Sequence, residues 1–290
     1  MTLTKSSPCK VNLLLNILGH RPDGFHELET VMQPVDVCDE IHFTRGGTGV
    51  QLTCNRPELP VDARNLVYRA AIAFLEAANI GESVRLHLEK RIPLAAGLGG
   101  GSGNAATTLL GLNELFGHPL QAARLQALAA ALGSDVPFFL QSNPALATGR
   151  GERVEPLAPF PALQGAAMLL VHPGFGIATA WAYKELARFP DALNGRPGRA
   201  RRLVDALQLK GLSQAAAGFY NALESPALGK FPVLALYQEF FHEYGALATL
   251  MSGSGSTTFA IFPGLAAAES VIEPFESRFG AAGWIATVRL

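Results

Sequence analysis

The sequence predicts a two-domain protein that mixes strands and helices. Three observations predict it: segments with a two-residue apolar alternation, segments with a helical apolar stripe, and a proline-dense connector between two halves. At roughly 150 residues per domain, 290 residues give about two domains, each large enough to bury a core without disulfides or a structural metal.

From Lys10 to Leu18 the run K-V-N-L-L-L-N-I-L puts Val11, Leu13, Leu15 and Ile17 on one face and Lys10, Asn12, Leu14 and Asn16 on the other, as in a strand. Lys10 and Asn12 therefore point the same way, and taken alone they read as a solvated strand face. Asn65 to Asn79 carries Leu66, Ala70, Phe74 and Ala78 on one helical stripe, and Leu125, Leu128, Ala129 and Leu132 form another. Between them, Val84 to Lys90 alternates strictly, which makes a second strand with Val84, Leu86 and Leu88 facing inward. Glu155 to Pro161 holds three prolines in seven residues and reads as the connector, dividing the chain into 1–155 and 156–290. Beyond it a strand is expected at Ala166–Val171, a helix at Ala178–Arg188, and an exposed basic loop at Gly195–Arg202, whose four arginines read as solvated. Short strands follow at Ala248–Met251 and Thr257–Phe262, and Trp284–Arg289 is expected to close a sheet.

Composition narrows the function. With 23 Lys and Arg against 24 Asp and Glu, a net charge of −1 and 49% hydrophobic residues, the chain lacks the broad positive field that nucleic acid or a membrane surface would attract. Neither partner is expected. Cys9, Cys38 and Cys54 are an odd set without a C-x-x-C pair, which suits a reduced compartment. The N-terminus shows no signal-peptide apolar stretch, and no apolar window approaches the ~20 residues that span a bilayer. A cytoplasmic location is expected.

The sharpest local signal is P-L-A-A-G-L-G-G-G-S-G-N-A-A from Pro93 to Ala106, with five glycines in seven positions between a strand and a helix. Such a loop presents bare backbone N–H groups at the positive end of a helix dipole, a cradle for polyphosphate. Ser102 and Asn104 add a hydroxyl and an amide near the helix start, placed to cap it or to touch a phosphate or its metal. No lysine is present, so the loop is not a Walker A motif, and a Rossmann match through Gly101, Gly103 and Ala106 is weak this far along the chain. A second glycine cluster, M-S-G-S-G-S-T-T-F from Met251 to Phe259, reads locally as a hairpin turn. In Gly133-Ser134-Asp135-Val136-Pro137 the aspartate reads locally as a helix N-cap.

Together these islands resemble the GHMP kinase superfamily, named for galacto-, homoserine, mevalonate and phosphomevalonate kinases. P-C-K-V-N-L-L-L, then G-H-R-P-D-G-F-H-E-L-E-T from Gly19 to Thr30, then G-L-G-G-G-S-G-N-A-A and G-S-D-V-P-F-F occur in order, and the Gly19–Thr30 block separates one branch from its cousins. That branch phosphorylates the 2-hydroxyl of a cytidine-diphosphate-linked polyol, a methylerythritol, in the non-mevalonate route to isoprenoid precursors. The resemblance implies an α+β fold of two domains, the first like ribosomal protein S5 domain 2 with a left-handed βαβ unit. It implies ATP and Mg²⁺ as cofactors, with no dedicated metal cage evident, and a monomer or homodimer as the working form. Pro93, Leu94, Ala95, Ala96, Gly97, Leu98, Gly99, Gly100, Gly101, Ser102, Gly103 and Asn104 inherit the ATP loop; the branch commonly has S-S-N where this chain has Ser102-Gly103-Asn104. Lys10 and Asp135 inherit the catalytic pair, with Asp135 as base and Lys10 as charge stabiliser. His26 is expected to read cytosine, Phe25 and Tyr183 to flank it, Asn12 to hold the polyol or its phosphate, and Thr179, Gly253, Ser254 and Gly255 to line the substrate. The alternatives are another kinase of the superfamily, acting on homoserine, mevalonate or a sugar, and a nucleotide-binding sensor without turnover.

Overall fold

The computed structural model describes residues 2–281 and 283–290, and the chain forms two compact units, each assembled from separated segments. The first comprises the segment ending at Cys9 with Asp36–Ile92 and Gly99–Ser142; the second comprises Lys10–Val35, Pro93–Leu98 and Asn143–Leu290. Two long strands, β1 (Thr2–His20) and β2 (His26–Arg45), give part of their length to each.

In the first unit, β3 (Val50–Cys54), α1 (Leu66–Ala77) and β4 (Val84–Glu89) form a parallel crossover, with Val50 opposite Val84 and Cys54 opposite Leu88. β4 runs antiparallel to β2, and the strand order is β3-β4-β2-β1. Helix α1 starts where its pattern predicts because the Asn65 side chain accepts the Val67 N–H at 2.9 Å, a cap worth about 1 kcal/mol. α2 (Gly100–Leu115) and α3 (Ala122–Leu132) pack with α1, and a 3-10 turn follows at Pro137–Leu140. Two glycines set how closely α2 lies. A Cβ at Gly111 would meet Phe43 Cζ at 2.5 Å, and one at Gly103 would meet the Pro8 carbonyl at 2.6 Å. A glycine inside a helix costs about 1 kcal/mol against alanine, less than the roughly 1.5–3 kcal/mol from burying Phe43 completely. At Gly103, where the S-S-N pattern has a serine, a side chain would displace the Pro8 backbone of this chain.

In the second unit, β5 (Ala145–Gly149) pairs with β2 and turns back as β6 (Arg153–Pro156). Residues 157–160 then run without regular structure. The chain continues through β7 (Ala167–His172), α4 (Thr179–Leu186), α5 (Pro190–Leu193), α6 (Arg199–Leu209) and α7 (Leu212–Ala215) to β8 (Tyr220–Asn221), which lies parallel to β1 at Leu14 and Leu15. After α8 (Glu224–Lys230) and α9 (Val233–Glu243) come β9 (Ala248–Met251), β10 (Thr258–Phe262), α10 (Leu265–Glu269), α11 (Ile272–Phe279) and β11 (Trp284–Arg289). The order β11-β7-β10-β9 makes an antiparallel sheet, and every residue of β7 and β10 is buried, as their unbroken apolar runs require. Tyr237, Phe240 and Phe275 from α9 and α11 meet edge to face in the core, with centroids 4.8–5.6 Å apart.

The basic stretch Gly195–Arg202 corrects the sequence reading in part: residues 195–198 are irregular, with Arg196 exposed, but from Arg199 onward the chain is the start of α6. The Glu29 carboxylate, on β2, accepts the N–H groups of Gly198 (2.9 Å), Arg199 (2.7 Å) and Ala200 (3.2 Å), supplying a cap from 169 residues away. Asn16 braces it by donating to Glu29 and to the Arg196 carbonyl. Two of the four arginines have partners too: Arg199 lies over the Tyr220 ring and Arg201 pairs with Glu155 at 2.7 Å. A cap so distant in sequence leaves no local signature.

Candidate active site

Lys10 and Asn12 share a face of β1 as expected, but that face is buried: the two residues are 3% and 4% exposed. An ammonium out of water needs acceptors. Lys10 Nζ donates to Asn12 Oδ1 at 2.5 Å and to the Gly97 carbonyl at 3.3 Å. The Asn12 amide donates in turn to Thr30 Oγ1 at 2.8 Å, and the Thr30 hydroxyl donates to the Leu14 carbonyl. That chain fixes which end of the amide faces the lysine.

The second unit's share of the glycine loop, Pro93–Leu98, is held from two sides. Lys10 N–H donates to the Leu98 carbonyl at 3.0 Å, and Thr257 N–H donates to the Ala96 carbonyl at 3.1 Å. Gly97 also accepts the Ser252 hydroxyl at 3.0 Å; its φ is +77°, and a Cβ there would lie 2.0 Å from the Ser252 carbonyl. No other residue suits that position.

The second glycine cluster is indeed the β9–β10 connection, and it folds onto this loop. A Cβ at Gly253 would sit 2.9 Å from the Gly97 carbonyl and 3.4 Å from Asn12 Oδ1. The Asn221 amide, at the end of β8, donates to the carbonyls of Met251 (2.7 Å) and Gly253 (2.8 Å) and so fixes the turn. Ser254 shares a hydrogen bond of 2.9 Å with Thr179 at the start of α4, and Gly255 packs where a Cβ would strike Met251. Lys10, Asn12, Gly97, Gly253, Ser254 and Thr179 thus belong to one bonded patch.

His26 opens β2, with its ring 4.1 Å from that of His20 and 4.9 Å from that of Tyr183. Burial, and then the neighbouring His20, hold its pKa below the ordinary 6.5. Its Nε2 is buried with no hydrogen-bond partner among the described residues. Phe25 is half exposed and packs beneath the Arg150 guanidinium, 4.6 Å from the ring centroid.

In the first unit, Gly99 occupies the N-cap of α2 with φ +68° and makes no side-chain cap bond, so the first-turn N–H groups are not claimed by a capping side chain. Gly101 has open space beside it, with no atom nearer than 3.9 Å to a Cβ. Asn104 does not cap the helix. It is buried and donates to Ser7 Oγ and Asp39 Oδ2, both at 2.9 Å. Asp39, fully buried, accepts the N–H groups of Arg91 (2.7 Å) and Ile92 (2.8 Å) and pairs with the Lys90 ammonium. Burial pushes the Lys90 pKa down while Asp39 opposes the shift. Asp135 lies between α3 and the 3-10 turn, whose N-cap is Val136 with no side-chain cap bond, so the local capping reading is not realised. Among the described residues no group of three or more His, Cys, Asp or Glu is arranged to hold a metal.

Sequence reasoning missed Thr30, Asp39, Lys90, Asn221, Ser252 and Thr257, whose buried hydroxyl has no partner among the described residues. Ser252 and Thr257 had a signal as members of the glycine cluster, and Thr30 as the last residue of the Gly19–Thr30 block; the others are single polar residues in or beside apolar runs.

Comparison with known proteins places this arrangement in a known group. The family model described as GHMP kinases N terminal domain matches residues 65–143, and that described as GHMP kinases C terminal matches 191–281. A protein of Synechococcus sp. (strain JA-3-3Ab) named 4-diphosphocytidyl-2-C-methyl-D-erythritol kinase is 43% identical, over 88% of this chain and 84% of its own. One of Geobacter sp. (strain M21) with the same name is 39% identical over 97% and 95%. A crystal structure of 4-(cytidine 5'-diphospho)-2C-methyl-D-erythritol kinase superposes with a TM-score of 0.80 at 35% identity, covering 99% of this chain and 100% of that one. The homoserine kinase of Cytophaga hutchinsonii, at 20% identity and TM-score 0.75 over 99% and 93%, shares the fold.

Proposed function

The chain belongs to the 4-diphosphocytidyl-2-C-methyl-D-erythritol kinase family of GHMP kinases, and from that premise we propose that it transfers the γ-phosphoryl group of ATP to the 2-hydroxyl of 4-diphosphocytidyl-2-C-methyl-D-erythritol, giving the 2-phosphate and ADP. The observation that carries the reading is the buried Lys10 ammonium, bonded at once to Asn12 and to a carbonyl of the glycine loop. A cation so held suits a reaction whose catalysis is mostly positioning and charge neutralisation.

An alcohol is a poor nucleophile at neutral pH. Asp135 accepts its proton as the oxygen attacks, a form of assistance worth roughly 10²–10⁴ in rate, and Lys10 offsets the developing negative charge. Gly97 to Ser102 offer backbone N–H groups to the phosphates, Gly103, whose N–H is donated to the Gly99 carbonyl, lets the loop's helix lie close to Pro8, Pro93 to Ala96 support the loop, and Asn104 anchors the start of α2 through Ser7 and Asp39. Mg²⁺ bound with the nucleotide would neutralise phosphate charge. It needs only one or two protein oxygens beside phosphate and water, and Ser102 is the hydroxyl in the first turn of α2 suited to supply one.

On the substrate side, His26 reads the polar edge of cytosine with its Nε2, and Tyr183 and Phe25 flank the base. Asn12 meets the polyol or its phosphate, and Thr179 with Gly253, Ser254 and Gly255 lines the diphosphate. In this division residues 1–155 carry the nucleotide loop and residues 156–290 complete the substrate site. Among the described residues no helix is long and apolar enough to cross a membrane, and we assign the enzyme to the cytoplasm as a monomer or homodimer.

The test is a coupled ADP-release assay with the cytidine substrate, homoserine and mevalonate in parallel. Turnover confined to the cytidine substrate is expected. Turnover of another alcohol in its place would favour a cousin activity, and ATP binding without phosphotransfer would favour a sensor.

A further inference from the structure

Three rings from three elements meet at the end of β1: His20 closes that strand, His26 opens β2, and Tyr183 sits on α4. The His20 and His26 centroids are 4.1 Å apart with planes inclined by 42°; those of His26 and Tyr183 are 4.9 Å apart and inclined by 38°. The Nε2 edge of His26 is buried and has no hydrogen-bond partner among the described residues. A buried polar edge without a protein partner is reserved for something else, and here nothing hydrogen-bonded holds that nitrogen in place. The torsion that turns an imidazole about its Cβ–Cγ bond is broad and roughly two-fold, so an unanchored ring can present either edge. Ring packing is what selects one.

We propose that His20 is a positioning residue for base recognition: its ring packs on His26 and fixes the plane in which the buried Nε2 faces the pyrimidine of the substrate. The inference rests on the reading of His26 as the base reader given above. His20 itself is exposed, at the end of its strand, and is assigned no contact with the base.

The contact has a second effect, through charge. The groups facing His26 are His20 from β1 and the Tyr183 phenol from α4, and Glu27 follows it on β2. Burial is the larger cause of the depressed His26 pKa, and a positive charge on His20 adds to it. The neutral imidazole is therefore the form present near pH 7. Neutral Nε2 can accept or donate according to tautomer, whereas imidazolium can only donate. Burial, with His20 adding to it, thus favours the form able to accept from the exocyclic amine of cytosine.

The experiment compares wild type with His20→Ala and His20→Phe, after thermal melts confirm that both variants fold. Steady-state kinetics and an NMR titration of the His26 ring are read for each. In His20→Ala, KM for the cytidine substrate should rise by about tenfold, while kcat and KM for ATP stay within about twofold. His20→Phe, which keeps a packing ring, should recover most of that KM. The His26 titration in His20→Ala should move to higher pH, and the acid limb of kcat/KM should move upward with it, a shift that a merely structural role would not produce. An unchanged KM and unchanged His26 titration in His20→Ala would overturn the proposal, as would a His20→Phe variant no better than alanine. If wild type failed to turn over the cytidine substrate, the functional reading would fall. The His26 titration would still decide whether His20 controls that ring.

Discussion

Asn12 holds the Lys10 ammonium by its carbonyl oxygen at 2.5 Å, and it does so because its amide nitrogen is already committed to Thr30. The polarity of one side chain on β1 is thus set by a hydroxyl on β2. In solution a lysine head samples many directions and loses rotamer freedom when ordered; here the cost is offset by two acceptors, one of them in the glycine loop.

That relationship predicts graded kinetic effects. Lys10→Met should lower kcat by orders of magnitude, and Asp135→Ala by about 10²–10⁴. Asn12→Leu removes the acceptor but leaves the charge, and kcat should fall by about tenfold to a hundredfold, as for a misplaced catalytic group. KM for ATP should change little in all three. A normal kcat in Asp135→Ala would remove the assigned base.

Two glycines of the loop should separate folding from binding. Gly97→Ala puts a Cβ 2.0 Å from the Ser252 carbonyl at a φ of +77°, so the protein should melt several degrees lower. Gly101→Ala meets no atom within 3.9 Å and should melt like wild type, yet KM for ATP should rise because the methyl group enters the phosphate cradle. Calorimetry and ATP titration of both variants check this. An unaltered ATP affinity in Gly101→Ala would place the phosphates elsewhere.

Lys90 and Asp39 should behave as a structural pair. Lys90→Met leaves a fully buried carboxylate without its cation, a change that typically costs about 3–5 kcal/mol and here should lower Tm by about 10 °C. Because Asp39 also holds Asn104 and the backbone of Arg91 and Ile92, Asp39→Ala should destabilise at least as much. Thermal melts of the single and double variants would expose the coupling through a double variant far less destabilised than the sum.

A pH effect is expected from Glu224, whose carboxyl accepts the Met251 N–H at 2.8 Å and the Gln238 amide at 2.5 Å. Burial raises its pKa above the ordinary 4.5. The unfolded chain therefore loses this proton first, so the stabilisation is complete below the unfolded value and is lost as pH rises through the folded one. Glu224→Gln keeps the carbonyl acceptor and removes the titration. Its Tm should decline less than that of wild type as pH rises above the ordinary carboxyl range. Identical slopes would exclude Glu224 as the source.

Much of the fold was legible because apolar periodicity records burial directly. The alternation of Val84, Leu86 and Leu88 and the Asn65 start of α1 appear in the structure where the pattern puts them. The glycine loop was legible too, since five glycines between a strand and a helix have few other uses. The basic stretch before α6 was not, because the carboxylate that caps it comes from Glu29 on β2.

The sequence by itself determined the fold class, the family and the position of the glycine loop, since each is encoded in short-range spacing and in motifs that keep their order along the chain. Tertiary structure alone decided that Lys10 is buried rather than solvated, that Asn12 presents oxygen and not nitrogen to it, and that His20 packs on His26. These depend on hydrogen bonds and ring contacts between residues brought together only when strands pair and helices dock. Periodicity reports which face of an element is buried, and it carries no record of the partner that buries it.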